Sequence, residues 1–387
     1  MLTKNVKFKS FKHYGKNNKI KKIIGSSWFK QIKLIKSFDV NFKYSYSKKD
    51  IKKYKRFNQF RVIGMGGSIL GSEAIYQFLS HKIKKKFIFI NNLKPEFYKN
   101  EKDKNFVNII ISKSGNTLET ISNSNIILKK NNINKNIFVI ENKNNYLSKI
   151  AEKIKAEVFE HKNFIGGRYS VLSEVGMLPA ELMGLNEKKF KKYNYLIKNK
   201  KFINQLVLNV SSIISLIKKK KLNSIILNYD ERSNNFFQWY QQLVAESLGK
   251  KSKGILPIIS TMPRDNHSLM QLYLDGPKNN FYTFFNVKER RSEKINNRSL
   301  LKPYRFLKNK SLYKLINAQI EATKIVFDKK KLPFRSFEIL NRSEDSMGEL
   351  FCFFILETIL LGRALNINPF DQPSVELIKA ETKRILF

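Results

Sequence analysis

Between residues 60 and 160 the chain alternates short apolar runs with longer stretches whose apolar residues recur at helical spacing. The runs are rich in Val, Ile and Phe and are bounded by turn residues, as in the buried strands of a parallel sheet. They cover residues 61–65, 87–91, 107–112, 136–141 and 157–160. The intervening stretches, such as 68–80 and 117–130, carry the helical spacing. This alternation predicts a doubly wound α/β layer structure with right-handed crossovers.

A second alternating section follows a highly charged stretch, 187–221, which is predicted to be helical and to connect two domains. Its predicted strands are 224–229, 254–259, 281–287 and 334–340. Its predicted helices are 237–248 and 312–328. Two apolar helices, 347–365 and 375–386, are predicted at the end. We therefore expect two three-layer αβα domains with parallel-sheet cores. The predicted boundaries are 1–55 for a basic helical appendage, 56–186 and 187–345 for the two domains, and 346–387 for the C-terminal helices that complete the site.

Composition agrees with a folded protein of two domains. The 387 residues are 42% apolar and 13% aromatic, enough for two separate cores. The single cysteine, Cys352, excludes a disulfide framework, so a reducing cytoplasm is expected. The basic N-terminus lacks the continuous apolar region of a signal peptide. The longest apolar run, 350–361, contains Glu357 and is too short to span a bilayer, so no membrane partner is expected.

The formal net charge of +43 raises the alternative of a nucleic-acid scaffold. Lysine greatly outnumbers arginine, and the excess is spread over the whole length of the chain. A dedicated nucleic-acid surface would instead show clustered arginine and aromatic residues. The composition therefore favours a general bias toward lysine and no specific nucleic-acid partner.

A segment with phosphate-binding residue types stands where one predicted strand ends. Residues 111–120 read Ile-Ser-Lys-Ser-Gly-Asn-Thr-Leu-Glu-Thr. The hydroxyls of Ser112, Ser114 and Thr117 precede a helix N-terminus, whose free N–H groups and dipole favour a phosphate. No lysine-centred Walker loop is present, so this pattern favours a sugar phosphate over a nucleotide.

Two glycine-rich segments accompany it. Residues 165–170 read Ile-Gly-Gly-Arg-Tyr-Ser. The two glycines have no side chain, so a ligand can approach their backbone closely. They are followed by a permanent cation, Arg168. Residues 63–71 follow the first strand and contain Ser68 at the mouth of a tight turn. Position 69 is isoleucine where a dinucleotide fingerprint needs glycine, so a nicotinamide cofactor is not expected.

Three further residues are candidates for proton transfer. Gln242 and Glu246 share one helix face, and a carboxylate near neutrality is suited to moving a proton beside a carbonyl. Taken alone, such a pair is most often solvated. His267 is one of four histidines and is a candidate proton carrier, although lone histidines are more often structural. Among so many lysines, Lys379 taken alone would be a surface residue, and only the surrounding pattern of residues 370–379 makes it a candidate. No His, Cys and carboxylate cluster has metal spacing, so no metal is expected.

Taken together, these segments resemble the phosphoglucose isomerase family, which is built from two sugar-isomerase (SIS) domains. The resemblance runs from about residue 60 to the C-terminus. It rests on Gly-Gly-Arg-Tyr-Ser at 166–170 and on Phe-Asp-Gln…Val-Glu…Lys at 370–379, with Gln242…Glu246 and Asn-His at 266–267 in the family's order.

The resemblance implies interconversion of glucose 6-phosphate and fructose 6-phosphate in glycolysis and gluconeogenesis, without metal or cofactor. Glu246 would move the proton between C2 and C1 through a cis-enediol. Arg168 would stabilise the negative charge of that intermediate, which suits a group that stays cationic. His267 and Lys379 would assist ring opening. The implied substrate-binding residues are Ser68, Gly67, Ser112, Lys113, Ser114, Thr117, Glu119, Gly167, Gln242 and Gln372.

The resemblance also implies a homodimer in which His267 is contributed by the neighbouring subunit. Two alternatives remain open from the sequence. One is a related SIS isomerase that also uses mannose 6-phosphate. The other is a non-catalytic SIS sensor of sugar phosphates, which would be expected to carry a DNA-binding helix-turn-helix segment; none is recognisable in residues 1–55.

Overall fold

The computed structural model describes residues 2–12, 18–25, 33–97, 106–128, 135–289 and 291–386. Within them, ten strands form two five-stranded sheets. The strands are β1 Val6–Lys9, β2 Gln59–Ile63, β3 Lys86–Ile90, β4 Val107–Ser112, β5 Asn136–Ile140, β6 Glu157–Glu160, β7 Asn223–Asn228, β8 Leu256–Thr261, β9 Asn280–Val287 and β10 Phe334–Ile339. The helices are α1 Asn18–Gly25, α2 Leu70–Phe78, α3 Leu118–Ile127, α4 Tyr146–Lys153, α5 Glu174–Leu182, α6 Tyr193–Lys198, α7 Lys200–Lys218, α8 Asn234–Leu248, α9 Met270–Asp275, α10 Leu312–Lys329, α11 Glu344–Ala364 and α12 Val375–Leu386.

The first sheet has the strand order β3-β2-β4-β5-β6, and all of its neighbouring strands are parallel. Every residue of β4 is buried. A strand covered on both faces needs a continuous apolar run, which is why the sequence pattern found it. The predicted α/β class with parallel-sheet cores is confirmed. The end of the predicted helix 117–130 lies outside the described residues.

The second sheet has the order β1-β10-β9-β7-β8, in which the last four strands are mutually parallel. In both sheets the first parallel strand, β2 or β7, lies between the second and the third. The two sheets therefore repeat one topology, with β2 and β4 of the first sheet corresponding to β7 and β9 of the second. Because of this repeat, the two sheets present equivalent strand ends to a ligand.

The described residues at the N-terminus include a strand of the second sheet. Strand β1 pairs antiparallel with β10, with Val6 opposite Ile339. Buried Thr3 donates to the carboxylate of Glu349 on α11 at 2.6 Å. The described lysines of this segment are exposed, while residues such as Phe11 are buried in the core. Composition alone hid a strand whose partner is more than 300 residues away.

Helix α11 lies in the core shared by the two sheets and is buried along almost its whole length. Its carboxylate Glu357 forms an ion pair with Arg335 of β10, and both side chains are buried. Helices α2 and α8, which each follow the first parallel strand of a sheet, pack against one another. This contact brings the turn after β2 next to the C-terminal half of α8.

The last helix, α12, differs from the rest because none of its residues is buried. Leu377 and Ile378 are 70% and 72% exposed. No helix in the described part of the chain is both long and apolar enough to cross a membrane.

Candidate active site

Arg168 forms the centre of the candidate site. It lies in a 3-10 helix, Gly167–Leu172, and only 2% of its surface is exposed. Its guanidinium donates to the carboxylate of Glu246 at 3.1 Å and to the amide oxygen of Gln372 at 2.7 Å. Three predicted site residues, from segments up to 204 positions apart, therefore meet at one cation.

Two glycine turns allow this approach. A Cβ on Gly67 would lie 2.1 Å from the carbonyl carbon of Gly167, so the two backbones touch. Gly66 has a φ of +52°, and a Cβ there would lie 2.7 Å from Nε2 of Gln242. The same amide nitrogen donates to Glu246 at 3.1 Å, as expected for positions i and i+4 of a helix. Glu246 is thus held between an amide and a guanidinium, and 30% of its side chain is exposed.

The predicted phosphate loop connects β4 to α3. Thr117 is the N-cap of α3, yet its hydroxyl makes no capping hydrogen bond and instead lies 3.1 Å from the hydroxyl of Ser112. The first N–H groups of α3 are therefore left without a side-chain cap, which suits an anion. Gly115 has a φ of +65° and packs against the side chain of Asn145, so a side chain at position 115 would collide with Asn145.

The other predicted phosphate residues lie around this loop. Lys113 is partly exposed and lies 3.7 Å from Glu141. Ser114 is exposed, and its hydroxyl accepts from the N–H of Asn116 at 3.3 Å. Glu119 is half-buried in the first turn of α3. Ser68 is 9% exposed at the neighbouring turn after β2.

The structure does not bring His267 or Lys379 to Arg168. His267 is exposed after the turn that follows β8, and its ring forms no hydrogen bond or ion pair with any described residue. Lys379 is exposed on α12, where its only described polar partner is Glu376 at 2.7 Å. Their predicted roles stay predictions, since this chain alone does not assemble them with the base.

The comparison with known proteins decides the family. The phosphoglucose isomerase family profile matches residues 35–261, which include both Arg168 and Glu246. The glucose-6-phosphate isomerase of Methanocaldococcus jannaschii is 33% identical over 348 residues, covering 84% of each chain. This chain belongs to the phosphoglucose isomerase family. The glucose-6-phosphate isomerase of Campylobacter jejuni is similar as well, at 32% identity and 84% coverage of each chain.

Solved structures share the fold of this phosphoglucose isomerase family member. A hypothetical protein from Thermus thermophilus matches with a TM-score of 0.82 at 21% identity, covering 96% of this chain and 94% of its own. A glucose-6-phosphate isomerase from Chlamydia trachomatis matches with a TM-score of 0.69 at 19% identity. It covers 87% of this chain and 71% of the Chlamydia protein.

Sequence reasoning missed the groups that hold Arg168 in place. Ser247 accepts from the guanidinium at 2.9 Å, and so do the backbone carbonyls of Pro369 at 2.7 Å and Asp371 at 3.1 Å. Tyr169 donates to the same Pro369 carbonyl at 2.8 Å. Every residue has a backbone carbonyl, so the sequence does not show which carbonyls will accept a hydrogen bond from Arg168. Only the path of the backbone in the folded structure shows it.

No group of three or more His, Cys, Asp or Glu side chains suited to a metal occurs among the described residues of this family member. The groups that meet at the site are a carboxylate, a guanidinium, amides and hydroxyls. Together they provide one partly exposed carboxylate, one buried cation and one helix N-terminus without a side-chain cap.

Proposed function

We propose that this chain is a glucose-6-phosphate isomerase that interconverts glucose 6-phosphate and fructose 6-phosphate, a reaction of glycolysis and gluconeogenesis. The observation that carries the proposal is the pair formed by Glu246 and the buried Arg168, 3.1 Å apart. Moving a proton between adjacent carbons needs a base and a cation for the negative charge that develops on oxygen. This pair supplies both groups.

The phosphate of the substrate would bind at the loop after β4. Ser112, Ser114 and Thr117 supply hydroxyls, and α3 supplies uncapped N–H groups and the positive end of its dipole. Lys113 adds positive charge, and Ser68 and Glu119 flank the loop. Anchoring the phosphate here fixes the distance of the sugar carbons from the base, which converts binding energy into orientation.

Proton transfer would then proceed at Glu246. Its carboxylate removes the proton from C2 and returns it at C1, while Arg168 stabilises the cis-enediol between the two steps. Gln242 and Gln372, which contact the base and the cation, would orient the hydroxyls of the substrate. The absence of side chains at Gly67 and Gly167 lets the two turns touch, which holds Arg168 next to the turn after β2.

Deuterium exchange followed by NMR tests this function. Purified protein is given glucose 6-phosphate in deuterated water, and fructose 6-phosphate with deuterium at C1 is the expected product. Glu246→Gln keeps the shape of the base but removes its basicity, so turnover and exchange should both be lost. Glu321→Gln, the same change on the exposed face of α10, is the matched control and should retain both. Well-folded protein without turnover would contradict the proposal. Mannose 6-phosphate in the same assay tests whether the protein also uses this epimer of glucose 6-phosphate.

We further propose that ring opening uses Lys379 and His267, with His267 contributed by a partner subunit in a homodimer. The support is that His267 is exposed and has no described polar partner here. Co-expressing Glu246→Gln with His267→Gln tests it. Mixed dimers would then hold one intact site, which restores about a quarter of wild-type activity at random assembly. No recovery in mixed dimers would contradict a shared site.

A further inference from the structure

A second polar cavity lies at the carboxyl ends of the strands of the second sheet. Its volume is about 450 Å³, within the range of about 300–1,000 Å³ typical of small-molecule sites. The residues after β9 and β10 line it, together with the turns that follow β7 and α2. Its lining cations are Lys82, Arg232, Lys288, Arg291 and Arg342.

The position of this cavity repeats that of the phosphate loop. The first site lies where β2 and β4 end, and the cavity lies where β7 and β9, the corresponding strands of the second sheet, end. Ligands of parallel α/β sheets bind at the carboxyl ends of strands, at the point where the strand order reverses. The topology therefore places the cavity where this fold holds ligands.

Arg342 holds a positive charge in a fixed position at the wall of this cavity. It is 8% exposed and forms a bidentate pair with Asp230, at 2.6 and 3.1 Å, and a further ion pair with Glu289. Its Nε atom is buried and has no hydrogen-bond partner among the described residues. Because Nε is enclosed by protein, Arg342 acts on a ligand in the cavity through its fixed positive charge.

The remaining lining cations differ in their partners: Lys82 pairs with Glu344, which is not part of the lining. Glu289 is the one acidic residue that lines the cavity among the described residues, and it already pairs with Arg232 at 2.8 Å and with Arg342. Lys288 and Arg291 are exposed and form no ion pair with any described residue. Burial, followed by the nearby cations Arg342, Arg232 and Lys82, lowers the pKa of the lining residue His81. The surroundings of this imidazole are therefore positive.

We propose that this cavity is a second anion site, which binds the phosphate-monoester group of a small metabolite independently of the phosphate loop. The phosphate would accept from Lys288 and Arg291, and the fixed charge of Arg342 would add to the attraction. Phosphate recognition by arginine uses charge-assisted hydrogen bonds of this kind. The volume leaves room for a body of sugar size beyond the phosphate group.

Histidine NMR tests the site in wild-type protein. The chain has four histidines, so labelling them gives four resonances, and His81→Gln assigns the one from the cavity. Added inorganic phosphate should move the His81 resonance and raise the pKa of its imidazole. An unmoved His81 resonance at phosphate concentrations that perturb the phosphate loop would overturn the proposal.

Calorimetry with glucitol 6-phosphate distinguishes a sugar phosphate from phosphate alone, because this polyol has no carbonyl and cannot isomerise. Two binding sites per chain are expected in wild-type protein. The charge reversals Lys288→Glu and Arg291→Glu together should weaken one site by at least about tenfold, while the other site and the isomerase activity remain.

The control variant carries Lys218→Glu and Lys219→Glu, the same change in charge at the opposite end of β7. It should keep both sites. If both variants lose the same binding affinity for glucitol 6-phosphate, the effect is a general response to net charge, and the proposal is overturned. A His81 response to inorganic phosphate with a single glucitol 6-phosphate site would restrict the ligand to the free anion and reject the sugar phosphate.

Discussion

Arg168→Lys keeps the positive charge of the candidate site but removes its geometry. The guanidinium donates to five acceptors: the side chains of Ser247, Glu246 and Gln372 and the carbonyls of Pro369 and Asp371. A lysine ammonium has three N–H groups on one nitrogen, so at least two acceptors lose their donor. At about 1.5 kcal/mol or more for each hydrogen bond to a charged group, the loss is about 3 kcal/mol.

Much of that loss should appear in catalysis, because the lost contacts hold the segment with Gln372 beside the base. Removing one preorganised donor at a developing oxyanion typically lowers kcat about 10²- to 10³-fold. We expect a fall of that size in kcat for fructose 6-phosphate, measured by coupling product formation to glucose-6-phosphate dehydrogenase. Urea unfolding of the same sample measures the accompanying loss of stability.

Arg335→Lys is the matched control, since Arg335 is also buried and bonds to Thr283, Asn209 and Glu357. It should lose stability while the folded fraction keeps its kcat. Folded Arg168→Lys protein whose kcat stays within about threefold of wild type would refute the catalytic role of Arg168.

Three further changes test the packing of this structure by urea unfolding. Gly67→Ala places a methyl group against the backbone of Gly167, so stability and activity should both fall; unchanged activity would contradict the close approach. Glu357→Leu leaves Arg335 without its carboxylate in the core and should cost about 3–5 kcal/mol, whereas adding Arg335→Met should recover most of it; a cost below about 1 kcal/mol would contradict the burial of this pair. Burial lowers the pKa of His161 to about 4, from 6.5, so the folded state loses about 3 kcal/mol as the pH falls from 6.5 to 4. His161→Phe should remove that part of the pH dependence; an unchanged slope would contradict it.

The positions of most strands could be predicted from the sequence because their causes are local. Strand β4, Val107–Ser112, was predicted to the residue, since a strand buried on both faces must be apolar throughout and this run ends at hydroxyls. Strand β1 was missed. Its lysines made it look like an appendage, and its identity as a strand depends on pairing with β10 at the other end of the chain.

The candidate site divides in the same way. The residue types of Arg168, Glu246 and Gln372 could be chosen from motifs, but their meeting within 3.1 Å depends on the packing of α2, α8 and the segment before α12. The family motif placed Lys379 in the site, whereas in this structure α12 has no buried residue and Lys379 pairs with Glu376.

The cavity around Arg342 is the clearest example of a feature that the sequence does not reveal. Its cations come from separate segments and are hidden among 74 lysines and arginines, so no spacing in the sequence marks them. The sequence by itself determined the fold class, the strand-and-helix alternation and the candidate chemical groups, because periodicity, turn residues and side-chain chemistry act over a few neighbouring residues. Which of those groups meet, and which backbone carbonyls and charges surround them, was decided only by the tertiary structure, since these contacts join residues up to several hundred positions apart.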